Sequence, residues 1–433
     1  MTGRFASMAT LLLTVLAPLN ADAQMPGADT WCPTCPPGAH SSGLHGSNGY
    51  SVANAWSGKQ PVTRPYQPGA ARWGYDNLGG REGPFYGESP FDEFLRDVAR
   101  DSYFRMEFLS WNYRKPGNVL LGSPLLVTDD PGVPFSTTLI NQLAGTARVE
   151  TLGLVKLEDI QGLKMTLGVP LTFGTIETSI FSFGNAEEFT LDDELGLPDP
   201  LNITELPTFV ATSTLFNGQI SNNIFIYDEF FATKTSADLW GADVVLLLNS
   251  YLPKPSLQIR PLIGFRYLDY GEQLVQTGSF NQVGNLPTSL ISTISSTSDN
   301  QSYVPQIGVR IEMPSRWVTI GIEPRIGVGV NTFGNSVFTQ SLRSEGDPRV
   351  DTGDQGEKIA VAGEFSIYGR LHLHPSTTLH VGYTFMGVTN ISRAPRNIRY
   401  NDNGPQVPAD ITVRSSFERM YFHGLNVGGE IRF

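Results

Sequence analysis

The stretch from Tyr421 to Phe433 constrains the fold of this chain more than any other. Tyr421, Leu425, Val427, Ile431 and Phe433 share one parity, and Gly424, Asn426, Glu430 and Arg432 share the other. Successive side chains of a strand point to opposite faces, so this stretch is a ribbon with one oily side and one wet side. A soluble edge strand protects itself with charge or proline. Here the oily row runs unguarded to the final aromatic residue. That suits a strand with lipid outside it and a partner strand on each side.

Composition agrees. Across 433 residues there are 45 glycines and 30 prolines, charged residues make up only 17%, and no long Ala/Glu/Lys/Leu-rich run suggests a helical bundle. The length fits two or three soluble domains, or one large barrel with long loops. A net charge of −12 argues against a nucleic-acid partner, which would need a basic surface, and predicts acidic loops.

Residues 1–23 read as a secretory signal. Arg4 gives the positive start, Met8 to Leu19 is mostly apolar, and Ala21, Asp22 and Ala23 put small residues at the cleavage positions. The apolar run is shorter than the ~18 to 20 residues of a spanning helix. The richest later run, Val244 to Leu248, is shorter still, so membrane residence would require strands. Residues 24–100 read as a flexible Gly/Pro-rich arm. A short helical spacing of Phe91, Phe94, Leu95 and Val98 lies near its end. Cys32 and Cys35, the chain's two cysteines, are candidates for a local disulfide or a pair of spare thiols. A redox motif would need a flanking strand and helix. Zinc would need His40 and His45 to complete its ligand set.

Residues 101–433 alternate throughout. Strands are expected at Tyr103 to Tyr113, Gly162 to Val169, Thr175 to Phe183, Phe230 to Ser250 and Leu257 to Leu268. Further strands are expected at Tyr303 to Met313, Trp317 to Val330, Lys358 to His374, around Leu379 to Phe385, and at the closing stretch. Between them lie an acidic loop with Glu187, Glu188, Asp192, Asp193, Glu194 and Asp199, a Ser/Thr/Asn-rich loop, and a last loop rich in arginine and asparagine. The expectation is an all-β, antiparallel up-and-down transmembrane β-barrel of about ten strands, with short turns at one end and long loops at the other. Pairing of Arg148 to Leu157 as an extra hairpin arm would make about twelve.

Several stretches resemble the type-seven family of beta-barrel porins found in outer-membrane proteomes. They are Tyr103 to Trp111 (YFRMEFLSW), Leu239 to Asp243 (LWGAD), Gly264 to Asp269 (GFRYLD), Val381 to Phe385 (VGYTF) with Ile391 to Pro395 (ISRAP), and His423 to Gly428 (HGLNVG). Asn426, Gly428, Ile431 and Phe433 also resemble the C-terminal signal by which such barrels are recognised for assembly. The resemblance implies an outer-membrane barrel of a Gram-negative-type bacterium. Its partners would be outer-membrane lipid and the barrel-assembly machinery. No substrate is implied, and the oligomeric state stays open.

A barrel this small has a lumen that side chains can fill. The inward row carries Arg105, Glu107, Arg260, Arg266, Arg310, Glu312, Glu323, Arg325, Glu364, Arg370, Glu430 and Arg432. Buried charge is tolerated when paired. The expected pairs are Arg105 with Glu107, Arg310 with Glu312, Glu323 with Arg325, and Glu430 with Arg432. A narrow or gated passage for small solutes follows. The alternative is a non-conducting scaffold or adhesin presenting acidic loops, and more remotely an outer-membrane hydrolase. No catalysis and no cofactor are expected. The inward histidines fall at the turn end, opposite the rim where barrel enzymes carry their chemistry, and His423 has no evident partner.

A tight turn after His374 would put His372 opposite His380, with His374 alongside, as a candidate metal or pH-sensing cluster. Their commoner role is as polar lumen residues. Arg393, Arg396 and Arg399 in the last loop are candidates for an anionic headgroup or solute, against the commoner role of solvated loop charge.

Overall fold

The computed structural model describes residues 102–126, 132–139, 142, 144–155, 157–193, 195–196, 206–252, 256–282, 286–404 and 410–433. The export signal, the arm with Cys32, Cys35, His40 and His45, the short helical spacing beyond it, and Glu194 and Asp199 lie outside those residues.

Ten strands close into a ring. In chain order they are β1 (Tyr103–Tyr113), β2 (Ile160–Leu171), β3 (Gly174–Phe183), β4 (Phe230–Leu248) and β5 (Gln258–Phe280), followed by β6 (Leu290–Pro314), β7 (Val318–Gln340), β8 (Val350–His374), β9 (Thr377–Ser392) and β10 (Phe417–Arg432). Each pairs antiparallel with its neighbours in the ring. Closure is made by β1 and β10, in register from Tyr103 opposite Arg432 to Tyr113 opposite Phe422. At this seam a Cβ on Gly428 would run into the Met106 carbonyl, so glycine is needed for the close approach.

The outer row is apolar and open to its surroundings. Ile307, Ile326, Val328, Ile359, Leu425 and Ile431 are all more than half exposed. Aromatic residues border this band. On one side Trp240, Tyr267 and Tyr303 stand in file with ring centroids 5.0 and 5.1 Å apart, and on the other Tyr251, Trp317 and Phe433 are exposed. From Tyr303 to Met313 on β6, a rise of about 3.4 Å per residue and a tilt near 40° give a height of about 26 Å. That is the apolar band of an outer-membrane barrel.

The strands run further than greasy alternation predicts. β5 continues to Phe280, β6 starts at Leu290, β7 continues to Gln340 and β8 starts at Val350. Most of the expected Ser/Thr/Asn-rich loop is therefore strand. Its period of two persists with small polar residues: Ser292, Ser296, Ser298, Asn300 and Ser302 face inward and are buried, while Asp299 and Gln301 face out and are exposed. Beyond the lipid the outer row has no need to be apolar. Glu187, Glu188 and Asp192 of the expected acidic loop likewise lie in a strand, Ala186–Asp192, paired along β4.

Arg148 to Leu157 adds no strand to the ring. Ala144–Val149 instead joins a separate five-stranded sheet, antiparallel to Phe135–Thr138 and parallel to Thr208–Phe216, which forms a hairpin with Gln219–Tyr227. Leu152, Val155 and Leu157 break the alternation and bury themselves in the main apolar cluster. The ring has ten strands because those three side chains cap a core rather than face lipid.

Candidate functional site: the filled lumen

The inward face of the ring is built in three tiers. The tier nearest the short turns is a belt of charge. Arg105 Nε lies 3.1 Å from Glu107 and its Nη1 3.6 Å from Glu430. Arg310 holds Glu177 through two bonds of 2.5 and 2.6 Å and also pairs with Glu323. Glu323 bonds Arg325 at 2.6 Å, Arg325 approaches Glu364 at 4.0 Å, and Glu364 lies 2.5 Å from Arg266. Arg266 ends the chain on Asp243 at 2.6 Å. Arg370 pairs with Glu312, which also accepts from Tyr368 at 2.6 Å. Arg105, Arg266, Arg310 and Arg325 each serve two carboxylates, which is how a charge removed from water stays tolerable.

Two of the candidate lumen charges sit at the rim. Arg432, with its side chain 46% exposed, reaches Glu430 at 3.1 Å. Arg260 donates to Thr175 Oγ1 at 3.1 Å and to the Leu248 carbonyl at 3.3 Å instead of meeting a carboxylate. The expected pairs at Arg105, Glu323 and Glu430 form, but Arg310 and Glu312 do not pair. Arg310 instead takes Glu177 and Glu323, and Glu312 takes Arg370 and Tyr368. Sequence reading missed Glu177, Asp243, Tyr103 and Tyr368. Parity was the available signal, since Glu177 shares the inward row of Thr175, Ser179 and Phe181.

The histidine cluster does not form. The β8–β9 turn pairs His374 with Thr377, and after a bulge between His372 and His374 the ladder sets His372 opposite Thr378 and His380 opposite Arg370. His380 lies within the belt, 3.0 Å from Glu107 and stacked on Tyr368. His372 shares a hydrogen bond with Thr319 at 2.8 Å, and His374 shares one with Ser376 at 2.8 Å. Among the described residues there is no group of three metal-ligating side chains. His423 lies on the outer face, 2.7 Å from the Tyr383 hydroxyl.

Above the belt the lumen is apolar. Trp111, Tyr113, Phe181, Phe183, Leu239, Leu268, Tyr270, Met386, Met420 and Phe422 form one buried cluster. Trp111 and Phe183 are 5.0 Å apart and Tyr113 and Phe422 are 5.1 Å apart, both tilted or edge-on, the favoured geometry for rings. The Trp111 indole donates to Asn426 at 2.8 Å, which in turn donates to Thr384 at 2.8 Å. Asn426 of the candidate assembly signal is thus part of the lumen.

The third tier is polar and contains a piece of the last loop. After Asn390, with a φ of 58°, Ile391 and Ser392 still pair with Glu418 and Phe417 of β10, and residues 393–397 then fold between the walls. Asn300 donates to the Ser392 carbonyl at 2.9 Å and accepts from its amide at 2.8 Å; Ser296 donates to the Ala394 carbonyl at 2.8 Å. Asn331 bonds both Asn300 and the Asn390 carbonyl at 3.0 Å. Arg393 sits at the centre, 1% exposed, with Nε 3.0 Å and Nη2 2.5 Å from Glu272. Its Nη1 reaches the Arg114 carbonyl at 3.2 Å and Glu418 at 3.3 Å. Arg393 is therefore neither solvated loop charge nor open to an external anion, because Glu272, on the inward row of β5, takes it first.

No curated protein matches the sequence. Among solved structures, the chain is similar to the outer membrane protease OmpT of Escherichia coli, with 9% identity, coverage of 78% of this chain and 98% of that one, and a TM-score of 0.41. It is also similar to the toluene transporter TodX of P. putida (8%, 77% and 90%, 0.17) and to an anion-selective porin from Comamonas acidovorans (8%, 77% and 100%, 0.12). The family model described as "Putative beta barrel porin-7 (BBP7)" matches residues 103–433, the span that contains every strand of the ring. The protein belongs to this beta barrel porin-7 family and is an outer-membrane β-barrel.

Proposed function

We propose that the protein is a porin-like outer-membrane barrel whose passage for small solutes is gated by its own last loop, closed in this structure. The observation that carries this reading is the inserted segment 393–397, held by Arg393 against Glu272. It is tied in mainly by hydrogen bonds and ion pairs, which water can replace one for one as the segment withdraws. We assign it no catalysis. The luminal histidine, His380, lies beneath the aromatic tier, already engaged by Glu107 and Tyr368. Export by the N-terminal signal and assembly through Asn426, Gly428, Ile431 and Phe433 belong to the same reading.

Liposome swelling in graded sugars tests it. A barrel with residues 393–396 replaced by a Gly/Ser linker should admit solutes that the unaltered barrel excludes. Equal tightness of both would favour the second reading, a non-conducting surface scaffold. A specific observation supports that alternative: the aromatic tier and the charged belt fill the lumen below the inserted segment, which adds Ala394 to the apolar cluster.

A further inference from the structure

The three arginines of the last loop have different fates. Arg393 is sealed against Glu272, and Arg396 approaches Glu418 at 3.5 Å. Arg399 is exposed, in the short ladder where Ile398–Arg399 lies opposite Thr412–Val413, and the next residue, Arg414, is exposed beside it. Arg399 and Arg414, with Leu215, Gly218 and Val413, line one cavity of about 380 Å³.

The backbone around this cavity is fixed. The Arg414 amide donates to the Asn397 carbonyl at 2.7 Å, the Leu215 amide to the Tyr400 carbonyl at 2.9 Å, and the Gly218 amide to Asn401 Oδ1 at 2.7 Å. Asn217 and Gly218 form the hairpin tip, with φ of 49° and 79°. A Cβ on Gly218 would lie 3.5 Å from Arg399 Nη2, so the guanidinium rests against that tip.

The charge is unbalanced. Arg343, Arg349, Arg393 and Arg396 in the neighbouring external segments each have a carboxylate partner. Among the described residues neither Arg399 nor Arg414 has one. The intervening stretch Pro405 to Ala409 contains no acidic residue that could supply it. Two like charges facing one cavity repel, and in a chain of net charge −12 a carboxylate would be the ordinary remedy. Planar guanidinium groups on a braced backbone suit an oxyanion, to which each donates paired hydrogen bonds.

We propose that Arg399 and Arg414 form an external binding site for a phosphate-type oxyanion. The site does not depend on whether the lumen conducts. The shared chemistry is a tetrahedral phosphate, carried either by a soluble solute or by a lipid headgroup.

The test uses the full chain folded in zwitterionic detergent, titrated with inorganic phosphate and followed by 31P line broadening. The expected result is saturable binding weakened at least tenfold by Arg399→Gln and by Arg414→Gln. Arg316→Gln, an exposed arginine stacked on Trp317, should leave binding unchanged. Heat-resistant electrophoretic migration confirms that each variant is folded. No saturable binding, or equal binding after Arg399→Gln plus Arg414→Gln, overturns the proposal. In nanodiscs, phosphatidylglycerol that competes with phosphate only when both arginines are present assigns the site to a headgroup. Phosphate binding indifferent to that lipid assigns it to a soluble anion.

Discussion

Replacing Arg393 with methionine removes the latch of the inserted segment while keeping much of its bulk. Lost with it are the bonds to Glu272 at 3.0 and 2.5 Å, the contact with Glu418 at 3.3 Å and the bond to the Arg114 carbonyl at 3.2 Å. What remains is the Glu272 carboxylate, whose side chain has no solvent exposure, with the Ala394 amide at 3.1 Å as a donor. Removing one partner of a buried ion pair costs about 3–5 kcal/mol, because the other charge is stranded. At about 1.4 kcal/mol per factor of ten, the balance between inserted and withdrawn segment shifts by roughly a hundredfold to a few thousandfold. Hydrogen exchange at 393–397 should quicken by that factor while the β1–β10 seam keeps its protection, and open events in planar bilayers should become more frequent. Adding Glu272→Met should restore protection, since replacing both partners by apolar groups is close to neutral. A folded Arg393→Met barrel whose 393–397 amides exchange within threefold of the unaltered protein would refute the latch.

Other consequences can be checked separately. Arg310→Met strips Glu177 and Glu323 of their shared cation, and a loss of about 3–5 kcal/mol should lower the temperature at which heat-resistant migration disappears. Deleting Phe433 should reduce the heat-resistant barrel recovered from the outer membrane; undiminished recovery would contradict its role in assembly. Zinc or nickel should titrate the unaltered protein and a His372→Ala, His380→Ala variant identically, without saturation; a stoichiometric site lost in the variant would reinstate the cluster. Hydrogen bonds from Ser279, Asn281 and Ser289 hold the Glu229 carboxyl below its ordinary pKa. A lowered folded-state pKa means that this clamp on the 281–289 connection is complete above the ordinary carboxylate range and is lost as pH falls through the lowered value. Exchange there should quicken on strong acidification, and Glu229→Gln should show the faster rate already at neutral pH.

The ring was legible because the side-chain period is two and lipid demands an unbroken apolar row, as in β10. Strand length was less so, because above the lipid the same period is written in serine and asparagine. Parity fixes whether a side chain points inward but not what it meets there. Residues two apart on one strand stand farther from each other than from the residues opposite them. Arg105 reaches Glu430, directly opposite in the ladder, in addition to Glu107 on its own strand, whereas Arg310 bypasses Glu312 for Glu177 and Glu323.

The same reasoning finds the latch. An inward acid needs a cation, and the first place to look is its two ladder neighbours. Glu177 has Gly168 and Val245 there, and its cation comes across the lumen from Arg310. Glu272 has Ala237 and Ser298, both uncharged. The inward rows beside it on β6 carry Ser296, Ser298 and Asn300, with no arginine. With no positive charge on the strands beside it, the buried Glu272 carboxylate takes its cation from the segment placed inside the barrel, and Arg393 answers that need.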